Sequence, residues 1–431
     1  MGLVEALTKR WHGVSHPFLI HENQAVAFSD LQSAELGVLD EVQAGDVVAL
    51  IGDFEPLAIA TLLHLIDRQA IVVPLTADTR TQHPQFFTAA QVDVVIEGAS
   101  VRRIAHEHSH PLIQQLRVQQ RAGLVLFSSG TTGQPKAILH DLSVFLKRFE
   151  TPRPALKTLN FLLFDHIGGL NTLLHTLFNT GTVIALKTRT VESILEACVR
   201  HAVEVLPTTP TFLRMMLMSG LIPAHVPASL KIITYGTERM DQPTLDALCA
   251  ALPEVDFRQT FGMSELGIVR VKSEARNSLF MQIGGEGVKT RVVDGVLEIY
   301  SETRMLGYLN APNPFDNDGW YNTKDQVVTR NGFYKVTGRS SDLINVGGLK
   351  FMASEVERVA LAYDGVALAR AEGKSNPITG QHVELTVEPK GGQPLEPQPL
   401  KDYLNATLPA HMVPRRLKIG AIAVGHRFKR L

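Results

Sequence analysis

The chain has 431 residues, which is long enough for two or more domains and a sizeable hydrophobic core. Its 42 basic and 43 acidic residues nearly cancel, which argues against a nucleic-acid-binding surface or a charged substrate funnel. The two cysteines, Cys198 and Cys249, are too few for a disulfide framework. No apolar run reaches membrane-spanning length, and residues 1–10 lack the order of a signal peptide. We therefore expect a soluble, cytoplasmic protein that binds neither nucleic acid nor membrane.

Short apolar segments begin to alternate with amphipathic ones at Gly45. The predicted strands cover residues 46–51, 70–75, 91–96, 124–127, 159–164, 182–186, 204–206 and 229–235. The predicted helices cover residues 56–68, residues 400–408 and a segment that starts at Pro210. Residues 289–299 predict a hairpin with Asp294 and Gly295 at its turn. Strands that alternate with helices imply an α/β fold with a largely parallel sheet covered on both faces.

A loop rich in small residues follows one of these strands. Residues 124–140 read LVLFSSGTTGQPKAILH, in which a strand leads into Ser, Gly and Thr, then Lys136 and an apolar, helix-compatible run. The backbone N–H groups and hydroxyls of such a loop can surround an anion, and Lys136 adds a positive charge, so the loop suits nucleotide phosphates. The Walker pattern is absent, because the second glycine and the hydroxyl after the lysine are missing. A plain surface turn is the other interpretation.

The string SSGTTGQPKA resembles the phosphate-binding signature of the adenylate-forming enzymes, which include acyl-CoA and aryl-CoA synthetases, adenylation domains of peptide synthetases and luciferases. The family form ends in glycine, where this chain has Ala137. The resemblance covers most of residues 45–431, and the chain is shorter than most members before residue 45 and between residues 100 and 122. It implies a large N-terminal domain of parallel and mixed sheets flanked by helices, a hinge and a small mobile α+β C-terminal domain. These three parts correspond to residues 1–338, 339–341 and 342–431.

Three further stretches resemble the nucleotide-binding motifs of the same family. Residues 236–239 read GTER, residues 257–267 read FRQTFGMSELG, and residues 319–325 read GWYNTKD, with Lys324 in place of a glycine. Together with GRSSD at residues 338–342, they imply a set of ATP-binding residues. The set is Ser128, Ser129, Gly130, Thr131, Thr132, Gly133, Lys136, Gly236, Thr237, Glu238, Phe261, Gly262, Ser264, Asp325 and Arg339.

Individual roles follow from the resemblance and from side-chain chemistry. Phe261 and the backbone near Gly236 are expected to sandwich adenine, because aromatic faces stack on purines. Asp325 suits the ribose hydroxyls, and Arg339 the ribose and phosphate. Glu265 is the expected Mg2+ ligand, since a hard cation that bridges phosphates takes carboxylate oxygen. The alternative for Glu265 is a carboxylate that complements the dipole at a helix N-terminus.

A histidine follows the predicted strand 159–164. His166 matches the family's histidine beside the carboxylate that is activated, where a neutral imidazole donates a hydrogen bond or gates the thiol channel. A structural histidine is the alternative. Asp165 resembles the aspartate that holds an amino group in amino-acid-activating members, but it lies one place out of register. Glycines directly after the strand, at residues 168–169, predict a close backbone approach.

The C-terminal part carries two more matches. Gly347, Gly348 and Lys350 form the loop expected to face the active site only in the thioester-forming orientation. Near the end, residues 422–429 align with the family segment whose lysine reaches the carboxylate and the α-phosphate. That alignment makes Lys429 the candidate, although a basic frayed tail is the alternative. Neighbouring cations are Arg427 and Arg430.

The resemblance implies an AMP-forming acid–thiol ligase that uses ATP and Mg2+, with His166, Glu265 and Lys429 as its catalytic residues. The acid is expected to be aryl or medium aliphatic, on the basis of apolar residues in the stretches 161–170 and 212–218. CoA is the expected thiol acceptor, and the phosphopantetheine of an acyl carrier protein is the alternative. A degenerate, non-catalytic nucleotide-binding subunit stays open, because Ala137, Lys324, Ser341 and Phe428 depart from the family pattern. A phosphotransferase, which would release ADP, is a third reading.

Overall fold

The computed structural model describes residues 2–33, 36–105, 109–128, 134–392 and 394–423. Within them the helices are α1 (Leu3–Trp11), α2 (Phe28–Gln32), α3 (Pro56–Asp67), α4 (His83–Ala90), α5 (Pro111–Val118), α6 (Leu142–Phe145), α7 (Ile167–Phe178), α8 (Val191–Arg200), α9 (Pro210–Met218), α10 (Gln242–Ala251), α11 (Ala353–Leu361) and α12 (Pro397–Thr407). Short 3-10 helices cover Gly37–Glu41, Ala77–Gln82, Leu146–Phe149, Ser340–Asp342 and Lys390–Gly392. None of these helices is long and apolar enough to cross a membrane.

The strands alternate with these helices in the first half of the chain. They are β1 (Leu19–His21), β2 (Gln24–Val26), β3 (Val47–Ile51), β4 (Ile71–Leu75), β5 (Val94–Glu97), β6 (Ser100–Arg103), β7 (Gly123–Ser128), β8 (Lys136–Asp141), β9 (Lys157–Leu159), β10 (Thr182–Ala185), β11 (Val205–Thr208), β12 (Ile232–Tyr235) and β13 (Asp256–Gln259). The second half is richer in strands: β14 (Phe261–Met263), β15 (Gly267–Ser273), β16 (Met281–Gly284), β17 (Val288–Val293), β18 (Val296–Ser301), β19 (Gly307–Tyr308), β20 (Tyr321–Arg330), β21 (Phe333–Arg339), β22 (Leu343–Val346), β23 (Leu349–Met352), β24 (Val366–Asn376), β25 (Gly380–Pro389) and β26 (Arg416–Ile419).

Three seven-stranded sheets form the larger part of the described fold. The first has the order β19-β8-β7-β4-β3-β5-β6, and the second β13-β12-β11-β9-β10-β1-β2. Both have parallel centres, formed in the first by β3, β4, β5 and β7 and in the second by β1 and β9 to β13. The third sheet, β14-β15-β16-β21-β20-β18-β17, is antiparallel. The predicted mixed α/β fold is confirmed, although the sheets are less uniformly parallel than the strand–helix alternation implied.

The main core lies between the first two sheets. Helices α3 and α7 fill it with Ile59, Leu63, Leu173 and Leu177, which pack against strand residues such as Val48. Apolar side chains at near-helical spacing explain why these two helices are buried on several sides. Asn160, which follows β9 of the second sheet, donates a hydrogen bond of 3.2 Å to the carbonyl of Gly169 in the first turn of α7.

Two predicted elements differ from the structure. The run after the phosphate loop is strand β8 rather than a helix, because it pairs antiparallel with β7 from Ser128 opposite Lys136 to Gly123 opposite Asp141. A short apolar run is compatible with a helix or a strand, and here pairing with β7 makes it a strand. The strand predicted over residues 159–164 ends at Leu159, after which Phe161 and Phe164 turn into the core.

The close backbone approach expected at the glycines before α7 is present, but the chain approaches itself there. A Cβ atom on Gly169 would lie 2.0 Å from the carbonyl oxygen of Leu163, and one on Gly168 would lie 2.5 Å from Cδ1 of Leu162. The two glycines therefore let the first turn of α7 pack directly on the preceding segment, which orients the side chain of His166.

We expect Gly169→Ala to destabilise the protein by about 3 kcal/mol or more, because the obstructing atom belongs to the backbone and cannot rotate away. The measurement is the shift of the urea unfolding midpoint. Gly284→Ala is the matched control, since its added Cβ would meet no atom within 4 Å. An unchanged midpoint for Gly169→Ala would contradict the packing described.

A smaller sheet follows Arg339, where β21 ends and the 3-10 helix Ser340–Asp342 begins. It contains β22 to β26, with α11 and α12 contributing to its core. Ser354 of α11 donates a hydrogen bond of 2.8 Å to the carbonyl oxygen of Thr337, and Arg239 lies 3.9 Å from Glu357. The domain boundaries at residues 338 and 342 stay a prediction.

Candidate active site

A cavity of about 860 Å3 gathers residues from all the predicted nucleotide motifs. The predicted site residues that line it are Ser128, Lys136, His166, Gly236, Thr237, Gly262, Ser264, Glu265 and Arg339. These positions are spread over more than two hundred residues of sequence. The cavity extends along β11 and β12, from Val205 and Ile232 at their first residues to Thr208 and Gly236 at their carboxyl ends, where α/β sheets commonly bind ligands.

The phosphate loop connects β7 to β8. Its residues Ser129, Gly130, Thr131, Thr132 and Gly133 lie outside the described residues, whereas its two ends are fixed. Asn310 holds the exit: its side chain accepts a hydrogen bond from the backbone of Ala137 and donates one to the carbonyl of Pro135, both at 2.9 Å. The Ala137 methyl is fully buried in the core beneath the loop, so this departure from the family glycine points away from the cavity.

Glu265 lies in the turn between β14 and β15 rather than at a helix N-terminus, so the helix-dipole alternative is wrong. It is 7% exposed and lines the cavity. The preceding carbonyl, that of Ser264, is hydrogen-bonded to Nε2 of His140 at 2.6 Å. Burial lowers the pKa of His140 to about 3, so its imidazole is neutral and can donate that bond. The buried histidine thereby fixes the turn that carries Glu265.

Two tyrosines for which no role was predicted lie beside this carboxylate: Tyr308, outside every motif, and Tyr321, inside the 319–325 stretch. The Tyr308 hydroxyl donates to Oε1 of Glu265 at 2.8 Å, and Tyr321 lines the cavity beside it. Burial, followed by the charge of Glu265, raises the pKa of both phenols well above 10. Both therefore stay protonated at any physiological pH. No spacing in the sequence links either tyrosine to Glu265, so only the fold shows that they lie beside it.

The chemistry of the site fits Mg2+ in one particular way. Within the described residues, no group of three or more His, Cys, Asp or Glu side chains could hold a metal ion. Mg2+ usually keeps several waters and binds through one or two carboxylates together with substrate phosphates. A single buried carboxylate at Glu265 suits that pattern when a nucleotide supplies the remaining oxygens.

The predicted adenine side of the cavity follows the ends of β12 and β13. Gly236 and Thr237 line the cavity, and a Cβ on Gly236 would come within 2.2 Å of the Thr260 hydroxyl. Phe261 and Glu238 are not among the described residues that line it. Phe261 packs against the core of the third sheet, and Glu238 accepts hydrogen bonds from the backbone and hydroxyl of Thr211. Their predicted contact with adenine stays a prediction.

The predicted ribose residues are neighbours in the structure. Nε of Arg339 lies 3.2 Å from Oδ1 of Asp325, across the pair β20 and β21. Burial raises the pKa of Asp325, and the charge of Arg339 opposes that effect. Lys324, which replaces the family glycine, lies within β20 and has φ of 64°, so this position keeps the left-handed conformation that glycine favours.

His166 is 8% exposed and is the N-cap residue of α7, where its Nδ1 accepts a hydrogen bond of 3.0 Å from Gly168. Beyond it the cavity continues along α7, past Thr172 and Thr176. Asp165 is buried and is not among the described lining residues.

The second apolar stretch that suggested an acid pocket is core instead. Phe212, Leu213 and Met216 are fully buried against the second sheet, and none of residues 212–218 is among the described residues that line the cavity. From the first stretch, Leu162 and Ile167 line it. Apolar composition suggested a pocket wall in both stretches but could not show which surface buries each of them.

The predicted site residues of the C-terminal part do not line the cavity within the described residues. Gly347 and Gly348, both with positive φ, form the tight turn between β22 and β23, and Lys350 is exposed on β23. Of the small sheet's described residues, none lines the cavity, so this loop lies away from the site. Lys429, together with Arg427, Phe428 and Arg430, lies outside the described residues.

Comparison with known proteins agrees with this geometry. Residues 120–298 match the family model of the AMP-binding enzymes. The chain is 28% identical over 324 residues to the fatty acid–[acyl-carrier-protein] ligase ScoC of Streptomyces coeruleorubidus, covering 68% of this chain and 62% of that protein. It is 24% identical over 374 residues to the mitochondrial malonate–CoA ligase ACSF3 of Bos taurus, covering 73% and 64%. The chain thus spans a little under two thirds of the length of these relatives.

Solved structures show the same fold at lower identity. The anthranilate CoA ligase AuaEII in complex with anthranoyl-AMP superposes with a TM-score of 0.80 at 16% identity, covering 100% of this chain and 95% of that one. ATP-bound MatB from Rhodopseudomonas palustris gives 0.79 at 18% identity, covering 100% and 97%. Residues 120–298 thus match an AMP-binding enzyme family, within an α/β fold that the chain shares with these solved ligase structures.

Proposed function

We propose that this protein activates a carboxylic acid with ATP to an acyl-adenylate and then transfers the acyl group to a thiol. The observation that carries the proposal is the convergence of Lys136, Glu265, Arg339 and His166 on one cavity. This arrangement places groups suited to phosphate, divalent cation and ribose beside a pocket that continues along α7. The match of residues 120–298 to the AMP-binding enzymes and the names of the relatives support the same reaction.

In the first step, a carboxylate oxygen attacks the α-phosphorus of ATP. The bond between that phosphorus and the oxygen bridging to the β-phosphate breaks, and pyrophosphate leaves with the electron pair. Lys136 and Lys429 offset the negative charge that accumulates, which is the main task of a protein in phosphoryl and nucleotidyl transfer. Bound Mg2+, with Glu265 as its protein ligand, would supply further charge neutralisation.

In the second step, the small domain turns about residues 339–341 and brings the Gly347–Gly348 turn to the site. The thiol sulfur attacks the acyl carbon, the bond from that carbon to the phosphate oxygen breaks, AMP leaves, and the thiol proton passes to solvent. The protein itself needs no nucleophile. Burial raises the pKa of the Cys198 thiol to about 12, so this cysteine stays protonated and unreactive.

CoA is the proposed acceptor, and the phosphopantetheine of a carrier protein is the second candidate. The relatives include both kinds: ScoC, FadD10 of Mycobacterium tuberculosis and MmaC of Mycobacterium marinum are named acyl-carrier-protein ligases, whereas ACSF3 of Bos taurus is named a CoA ligase. Thioester formation with CoA and with a phosphopantetheinylated carrier protein, measured side by side, separates the two.

For the acid we propose an aryl or medium aliphatic carboxylic acid. The pocket beyond His166 is lined by apolar Leu162, Ile167 and Ile268. Thr172 and Thr176 also line it, so the wall formed by α7 is mixed rather than purely apolar.

The proposal is tested by pyrophosphate exchange into ATP over a panel of benzoic, 3-phenylpropanoic, octanoic and malonic acids. We expect exchange that depends on an added acid and AMP as the nucleotide product. ATP binding without exchange across the panel would instead favour a non-catalytic binding subunit. Release of ADP would favour a phosphotransferase.

A further inference from the structure

A short segment outside all the sequence motifs connects the phosphate loop to Glu265. We call residues 305–310 the strap. Its backbone donates from Met305 to the carbonyl of Glu265 at 2.8 Å. Leu306 and Leu309 donate to the carbonyls of Leu139 and Ala137 in β8, at 2.7 and 2.9 Å. Within it, β19 pairs antiparallel with β8, with Tyr308 opposite Ile138. The strap is therefore attached at one end to the turn of Glu265 and at the other to the strand that begins at Lys136.

Tyr308 is the strap residue whose side chain contacts both Glu265 and Lys136. Its hydroxyl donates to Oε1 of Glu265 at 2.8 Å, and its ring centroid lies 4.9 Å from Nζ of Lys136. A hydrogen bond to a carboxylate is about twice as strong as one between neutral groups. A lysine ammonium above an aromatic face within about 6 Å is attracted by the ring quadrupole.

We propose that Tyr308 is a positioning residue of the nucleotide site, which orients the Glu265 carboxylate with its hydroxyl and the Lys136 ammonium with its ring. Tyr308 is 5% exposed and Glu265 is 7% exposed, so the bond between them is shielded from water and keeps its strength. Without it the carboxylate could rotate away from the position that a nucleotide-bound cation requires. The inference rests on the proposed function, since it assigns Lys136 and Glu265 to the nucleotide.

Partners that orient a metal-binding carboxylate typically account for about 10- to 100-fold in metal affinity. Tyr308→Phe removes the hydroxyl and keeps the ring. We expect it to lower ATP affinity by about 10-fold or more in MgCl2, while ATP affinity in EDTA stays within about twofold. Tyr308→Leu removes the ring as well, so its ATP affinity should fall in EDTA too, because Lys136 loses its contact.

The measurement is calorimetric titration of ATP into the full-length chain, in MgCl2 and separately in EDTA. Tyr300→Phe is the matched control. Like Tyr308, Tyr300 has cations over its ring, Lys289 at 5.6 Å and Arg304 at 4.9 Å, but it is not among the described residues that line the cavity. It should bind ATP like the wild type in both buffers. Thermal unfolding of each variant is recorded in parallel.

Tyr308→Phe that binds ATP–Mg2+ like the wild type overturns the proposal, and so does an equal loss in MgCl2 and EDTA. A lowered unfolding midpoint with unchanged Mg2+ dependence also overturns it, because a purely structural tyrosine would behave in that way. If the wild type binds ATP but shows no acid-dependent exchange, the proposed function fails while the binding comparison still decides the role of Tyr308. Absence of ATP binding by the wild type overturns both.

Discussion

Glu265→Gln is expected to reduce acid-dependent pyrophosphate exchange by about 100-fold or more, the usual scale for removing one group that stabilises developing charge. The substitution keeps the size of the side chain and removes its negative charge. Glu265 is buried at the cavity wall, with one oxygen accepting from Tyr308. Because Mg2+ prefers carboxylate oxygen, the neutral amide should raise the Mg2+ concentration needed for half-maximal exchange.

The measurement is exchange at a series of Mg2+ concentrations. Glu286→Gln is the control. Glu286 is exposed in the turn between β16 and β17, so this substitution removes the same charge at a position away from the cavity. We expect that control to behave like the wild type. Exchange by Glu265→Gln at the wild-type rate and Mg2+ dependence would remove Glu265 from the site.

Lys429→Ala is expected to abolish adenylation and largely to spare thioester formation from a supplied acyl-adenylate. The reason is that its charge is needed only while the α-phosphate is attacked, so the two half-reactions should separate. A loss of about 100-fold or more in exchange is the expected scale. The assays are pyrophosphate exchange for the first step and consumption of synthetic acyl-adenylate with thiol for the second.

The neighbouring cations supply the controls for this residue. Arg427→Ala and Arg430→Ala remove the same charge within two positions and should keep most of the exchange activity. If Lys429→Ala retains full adenylation, the assignment is wrong, and these residues are a basic tail. Equal loss in both half-reactions would also contradict it.

The sequence predicted the elements whose signals are local. The helix at residues 56–68 is observed as Pro56–Asp67, and the hairpin turns at Asp294 and Gly295, both of which have positive φ. Buried parallel strands and their helices were predictable because periodicity and turn chemistry extend over only a few residues. The phosphate loop and the Glu265 stretch were identified for the same reason, since each motif is a short continuous string.

Partnerships between distant segments could not be predicted in this way. The run after the phosphate loop became β8 because β7 and β19 pair with it. Residues 212–218 became core because the second sheet covers them, although their composition equally suited a pocket wall. In each case the local pattern is compatible with two structures, helix or strand for β8 and core or pocket wall for residues 212–218. A contact with a distant segment determines which of the two is formed.

The sequence by itself predicted the fold class of this protein and the chemical groups of its candidate nucleotide site, because the residues expected to meet a phosphate or a cation occur in short motifs. The tertiary structure decided how those groups are held. In the sequence, Tyr308 is distant from Glu265, and Asn310 is distant from the phosphate loop. The pairing of β19 with β8 brings each of them to its partner. A motif specifies side-chain chemistry, whereas orientation depends on packing and hydrogen bonds that cross the fold.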